Sequence, residues 1–166
     1  EKVSSFCDVQ NRVAPNAIYF SDDSNNAYYM VMIDEIPKIG LSFTDFGILP
    51  VFLQNNQTGL LYIGFGRKIV VIETFNLIEI AEYETSSAIF DLFLYDEISM
   101  VVLICETSVY LFVNDKEIDS MEFPDVIKDY NLTDEVIHLK LDHGESYEIS
   151  LSRYVNNNKE ENLKKS

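Results

Sequence analysis

A chain of 166 residues, 47% hydrophobic and 13% aromatic with ten Tyr, eleven Phe and no Trp, has ample material for one core; at that size folding buries about two-thirds of the unfolded surface, so disorder of the body is excluded. Acidic residues outnumber basic ones by 28 to 12, a formal net charge of −16, which argues against nucleic acid and anionic membranes as partners, because a polyanion is bound through Lys and Arg that release its counterions. Such acidity serves either plain solubility or a basic partner steered in by the field.

The first ten residues hold no basic stretch followed by an apolar core, and about 18 uninterrupted apolar residues occur nowhere, so neither an export signal nor a membrane span is expected and the location is read as cytoplasmic. One short helix near the start is compatible with the pattern. Beyond it, short apolar runs rich in Ile, Val, Leu, Phe and Tyr recur between turn residues, which is how an all-β chain reads. Strands are expected near Ala17 to Ser21, Ala27 to Ile33, Val51 to Leu53, Leu60 to Gly64, Lys68 to Glu73, Leu77 to Tyr83, Ala88 to Tyr95, Ser99 to Ile104, Val109 to Val113, Glu117 to Phe123, Val126 to Leu132, Val136 to Leu141 and Ser146 to Leu151. Turns fall at Asp22 to Asn26, Asn55 to Gly59, Asn114-Asp115 and Asp142 to Gly144, where Asn, Asp and Gly tolerate positive φ or bond their own backbone. Residues 1–155 make one all-β domain, and 156–166, NNNKEENLKKS, read as a solvated tail.

The stretch from Leu60 lies over the stretch from Met100, a period of about 40 residues. LLYIGFG-RKIVVI faces MVVLICE-TSVYLF; Ile78, Glu79, Glu82 and Tyr83 fall on Ile118, Asp119, Glu122 and Phe123. After a two-residue deletion, Ile89, Asp91, Leu94, Asp96 and Glu97 fall on Ile127, Asp129, Leu132, Asp134 and Glu135. The repeats are thus 60–97 and 99–135, with a partial copy at 136–151. About four strands in about 40 residues is the size of a β-propeller blade, and a closed ring needs at least about four blades, or about 160 residues. The expected architecture is therefore antiparallel four-stranded blade-like meanders forming an open, partial β-propeller-like stack or a sandwich.

Chemistry finds little to work with. Cys7 and Cys105 lie far apart, outside any CxxC, and Cys105 after Met100 to Ile104 reads as a buried small hydrophobe. His138 and His143 have no Cys nearby, so no metal site is expected, and no cofactor. No GxSxG elbow or HExxH is present, and Gly64 to Lys68, GFGRK, lacks phosphate-loop spacing and reads as a hairpin turn. No catalytic residue is expected.

From Ser87 to Glu135 twelve acids face two bases, Lys116 and Lys128. If blades stack, Asp91 with Asp129, and Asp96-Glu97 with Asp134-Glu135, should form like-charge ladders whose repulsion costs stability. Such ladders are either ordinary turn residues or the footprint of a basic partner.

The succession VVLICETSVYLF, DKEIDSMEFPDVIKDYNLTDEVIHLKL and DHGESYEISL resembles small bacterial proteins with degenerate propeller-like repeats, some of them similar to immunity proteins of contact-dependent growth inhibition and other polymorphic toxin systems. The resemblance implies a non-catalytic, cytoplasmic inhibitor that forms a heterodimer with one basic toxin domain, typically a nuclease such as a ribonuclease, and covers its active site with carboxylates standing in for phosphates. The group supplies no common binding residues. Charge density and loop position alone nominate Asp91, Glu106, Asp125 and Asp129, with Asp22, Asp23 and Asp45 from the N-terminal part and Tyr95, Tyr110 and Tyr130 as aromatic anchors. A propeller-like interaction scaffold is the rival reading.

Overall fold

A computed structural model describes residues 1–21, 26–33, 35–113, 115–133 and 135–155. The N-terminal sheet is built from β1 (Lys2–Val3), β2 (Ile18–Ser21), β3 (Ala27–Ile33) and β4 (Ile36–Phe43), in the order β1-β3-β4-β2, with β2 parallel to β4. Between β1 and β2 runs the helix α1 (Phe6–Arg12), whose N-terminus is capped by the Ser5 side chain accepting from the Asp8 N–H. Strand β4 corrects the sequence reading, which expected no strand there. Pro37 and Gly40 interrupt its apolar run, but Pro37 sits opposite Met32, where the register shifts and a ladder hydrogen bond is dispensable. Gly40 leaves room for the buried Val9 of α1 and for the Tyr19 ring.

The remaining strands form three plain meanders. The second sheet holds β5 (Val51–Asn55), β6 (Leu60–Phe65), β7 (Lys68–Glu73) and β8 (Ile78–Glu84); the third holds β9 (Ile89–Tyr95), β10 (Met100–Cys105), β11 (Ser108–Val113) and β12 (Lys116–Glu122). The fourth has only β13 (Ile127–Thr133), β14 (Val136–Leu141) and β15 (Ser146–Ser150). A 3-10 turn, Asp96–Ile98, precedes β10, where the sequence suggested a strand starting at Ser99. The Asn55 side chain accepts from the backbone of Gln57 and Thr58 to close its turn, and Gly66, at φ 56°, closes the β6–β7 hairpin within GFGRK.

Side-chain alternation explains the stacking. Along β6 and β7, Tyr62, Ile69 and Val71 pack toward the third sheet, whereas Ile63, Phe65, Val70 and Ile72 pack toward the N-terminal sheet. Along β10 and β11, Val101, Leu103, Cys105, Tyr110 and Phe112 face back to the second sheet, and Met100, Val102, Ile104, Val109 and Leu111 face forward to the fourth. Both faces are buried, which is why these strands read as continuous apolar runs. Cys105 is fully buried, and burial pushes its thiol up to about 12.

Backbone staples repeat from sheet to sheet. The Ile89 N–H donates to the Gly66 carbonyl at 2.8 Å and, one sheet on, the Ile127 N–H to the Glu106 carbonyl at 2.7 Å; Thr85 to Arg67 and Phe123 to Thr107 form a second matching pair, each at 2.8 Å. The sheets begin at β5, β9 and β13, so the sequence units that start at Leu60 and Met100 each enter one strand late and borrow the first strand of the next sheet.

The stack is open. Core clusters join adjacent sheets, and among the described residues none joins the fourth sheet to the first. α1 packs on β3 and β4 at one end. At the other end the outer face of the fourth sheet carries Asp129, Lys140 and Ser146 in one cross-strand row and Asn131, His138 and Glu148 in the next. After β15 the chain turns back, and Arg153 and Tyr154 both bond the Asp119 carboxylate of β12.

Candidate functional site

The polar end face holds a shallow groove of about 310 Å³ that runs across β13, β14 and β15. Because period-2 alternation sends Ile137, Leu139 and Ile149 into the core, their neighbours His138, Lys140 and Glu148 must point outward. Asp129 stands opposite Lys140, and His138 Nδ1 lies 3.3 Å from the Glu148 carboxylate. His138, Lys140 and Glu148, which share the cross-strand rows of Asp129 and Asn131, were not nominated from the sequence, although the alternation in VIHLKL and SYEIS was the signal that could have found them.

Asp91 and Asp129 occupy equivalent repeat positions with different surroundings. Asp91 is half-buried between the third and fourth sheets, where it accepts a hydrogen bond from the Tyr130 hydroxyl at 3.0 Å. Burial and that carboxylate push the Tyr130 phenol up to about 12. Asp129 points away from this junction into solvent, because no sheet follows the fourth. The expected ladder of these two acids is therefore corrected: they flank Tyr130 from opposite sides.

The other nominated residues divide clearly. Tyr95 and Tyr110, at 8% and 9% exposure, are core residues and not surface anchors, because both faces of their sheet are covered. The Tyr110 hydroxyl accepts from the Ser86 N–H at 2.9 Å. Glu106 is half-buried and its backbone forms the inter-sheet staple, donating to Ala88 and accepting from Ile127. Asp45 belongs to the far end of the stack, where Lys2 at 2.9 Å and the Gly47 N–H hold its carboxyl below the usual range. Asp22 and Asp23 lie outside the described residues, as do Asn114, Asp134 and the tail 156–166.

Asp125 is committed to its own loop. One carboxylate oxygen accepts from the Val126 N–H at 2.8 Å, and the other meets His143 Nδ1 at 2.5 Å and accepts from the His143 N–H at 3.1 Å. Nε2 of the same ring stands 3.4 Å from Glu145, which also accepts from the Tyr147 hydroxyl. The Asp125 hydrogen bond raises His143, and His143 in turn lowers Asp125. A histidine raised above its unfolded value of 6.5 stabilises the fold fully below that pH and loses this as pH rises through the folded pKa. A carboxylate lowered from 3.8 contributes above that value and loses it as pH falls further. The melting-temperature gap between wild type and His143→Asn is therefore expected to be widest around pH 5, between the two unfolded values, and to close well above neutrality. A gap of the same size at pH 5 and pH 9 would refute the pairing.

Among the described residues, no group of three or more His, Cys, Asp and Glu side chains is arranged to hold a metal ion, and no helix is long and apolar enough to cross a membrane. No family model and no curated protein matches the chain. Among solved structures, Saccharomyces cerevisiae Sqt1 superposes on 60% of this chain at 14% identity with a TM-score of 0.50. Kluyveromyces lactis Hsv2 covers 61% at 12% identity and a TM-score of 0.37, and a protein of unknown function from Bacteroides caccae covers 75% at 10% identity and 0.45. The matched region amounts to 30%, 32% and 56% of those three chains, well short of their full length. The likeness to Sqt1 is one of fold, and the fold is propeller-like.

Proposed function

We propose that this chain is a non-catalytic immunity protein that binds one basic toxin domain, a nuclease, and covers its active site with an acidic surface. The observation that carries this reading is the distribution of charge on the last two sheets. The inner strands of the third sheet are almost wholly apolar and the fourth sheet buries one face, so the described acids of 87–135 are pressed onto turns, edge strands and the end face, where Asp129 and Glu148 flank the groove. A surface of one sign raises the encounter rate with a basic partner and falls off with salt. Carboxylates presented along a groove can occupy the positions in which a nuclease's basic residues hold phosphates.

The test is capture on immobilised protein, at about 50 mM and about 500 mM salt, of basic domains encoded beside this gene. A basic nuclease-type domain should bind as a heterodimer, lose activity on binding, and bind at least about tenfold more weakly at high salt or to Asp129→Lys. Recovery of self-association or of acidic proteins alone would sink the reading. A scaffold is the second reading, favoured by the exposed Ile78, Ile80 and Ile118 on β8 and β12, each the last strand of its sheet. It predicts a complex indifferent to salt and sensitive to Ile80→Asp.

A further inference from the structure

Of the second ladder anticipated from the repeat, Asp96-Glu97 with Asp134-Glu135, Asp134 lies outside the described residues. Glu97, in the turn between β9 and β10, and Glu135, in the β13–β14 hairpin, are repeat equivalents that converge on one group, the hydroxyl of Tyr95 at the end of β9. Tyr95 is more than nine-tenths buried in the core between the third and fourth sheets, and among the described residues its hydroxyl makes no hydrogen bond of good geometry, although the Glu97 and Glu135 carboxylates stand near enough to act on it. Burial first, and then the charges of Glu135 and Glu97, push the phenol up to about 12. Three features of this spot are each unfavourable as they stand. A buried hydroxyl lacks a hydrogen bond of good geometry, two like charges share one neighbourhood, and Glu135 takes a backbone φ of 65° that side chains larger than Gly seldom adopt.

The neighbouring junction lacks this arrangement. On the second sheet the residue that aligns with Glu97 is Gln57, a neutral group whose Oε1 accepts from Ser99 Oγ at 2.6 Å. Asp91 is also satisfied, since its carboxylate already accepts from the Tyr130 hydroxyl. Among the described residues, the Tyr95 spot alone sets a buried phenol that lacks a hydrogen bond of good geometry beside two carboxylates with no basic partner.

We propose that Glu97, Glu135 and Tyr95 form a receptor for a single arginine side chain of the basic partner, seated at the rim between the third and fourth sheets. This rests on the reading of the chain as a binder of a basic protein. A guanidinium carries a planar fork of five N–H donors, so it can bond two carboxylates and a phenol oxygen together, as a lysine ammonium, a compact point charge, does less well. A divalent metal would want more oxygen ligands than these two carboxylates and a phenol supply. Glu97 is exposed, at the solvent side of this spot.

The experiment is an NMR titration of the full chain with acetyl-Gly-Arg-Gly-amide, followed at the Tyr95 ring, with the lysine analogue and calcium chloride as separate arms. The arginine peptide is expected to give saturable shifts with a dissociation constant on the order of millimolar, at least about tenfold tighter than the lysine peptide. E97Q/E135Q, which keeps side-chain length, should abolish saturation, and Tyr95→Phe should weaken binding while leaving the fold intact. Absence of saturation with the arginine peptide, equal affinity in E97Q/E135Q, or saturation by calcium alone would overturn the site. A captured basic domain that binds E97Q/E135Q as tightly as wild type would remove this receptor and leave the wider reading standing. Arginine-peptide binding here with no basic partner captured would do the reverse.

Discussion

Phe112→Ala is expected to lower the free energy of unfolding by about 3–5 kcal/mol, a large share of the roughly 5–15 kcal/mol that holds a domain together. Phe112 has no exposed surface, lies in the core between the second and third sheets, and tilts against the Tyr83 ring with centroids 5.1 Å apart. Truncation removes the transfer free energy of the ring and leaves a cavity whose walls, strands on two sheets, cannot close together without breaking ladder hydrogen bonds. Phe75→Ala is the matched control. That ring, 89% exposed in the β7–β8 turn, should change stability by no more than about 0.5 kcal/mol. Urea denaturation of the two variants reads both numbers, and equal midpoints would contradict the packing described for the third sheet.

Gly40→Val should cost about 1–3 kcal/mol, by overpacking and not by backbone strain. A Cβ at this position would stand 2.6 Å from Val9 Cγ1 and 2.7 Å from the Tyr19 ring. β4 is held by β3 on one side and β2 on the other, so the element that yields is α1, which makes few contacts elsewhere. Hydrogen exchange in α1 should accelerate more than exchange in β10. Adding Val9→Ala should restore part of the loss, a coupling between touching residues that a double-mutant cycle measures directly. A Gly40→Val protein as stable as wild type would show that α1 is not seated on β4.

Why β4 escaped the sequence reading while β6, β7, β10 and β11 did not follows from the same packing. The latter four are buried on both faces and present unbroken apolar runs, the strongest strand signal a sequence carries. β4 is equally buried toward its C-terminal end, but Pro37 and Gly40 are there to suit a register shift and a helix, and both residues argue locally against a strand. The same limit applies to the tyrosines. Alternation fixes which residues share a face, but Tyr95 and Tyr110 lie on opposite faces of one sheet and both are covered, a fact that depends on neighbours distant in the chain.

The site was legible as charge and illegible as geometry. The repeat set Asp96-Glu97 against Asp134-Glu135; Asp134 lies outside the described residues, while Glu97 and Glu135, in equivalent turns of adjacent sheets, both act on the Tyr95 hydroxyl. It could not distinguish Asp91 from Asp129, since the difference between them is that one has a sheet in front of it and the other does not. His143 read as a polar turn residue, which it is, but its pairing with Asp125 joins the β14–β15 turn to the entry of β13 and has no local pattern.

The two ends of the stack are unlike each other, and that has a bearing on assembly. A row of apolar layers left open at both ends would be a polymer subunit: the last layer of one copy would accept the first layer of the next, and nothing would stop the filament. Here one terminus is roofed by α1 and the other faces water with Asp129, Lys140, His138 and Glu148. Head-to-tail growth would have to strip hydration from those charges while gaining little apolar contact, so the polar end face that makes the groove also acts as a chain terminator.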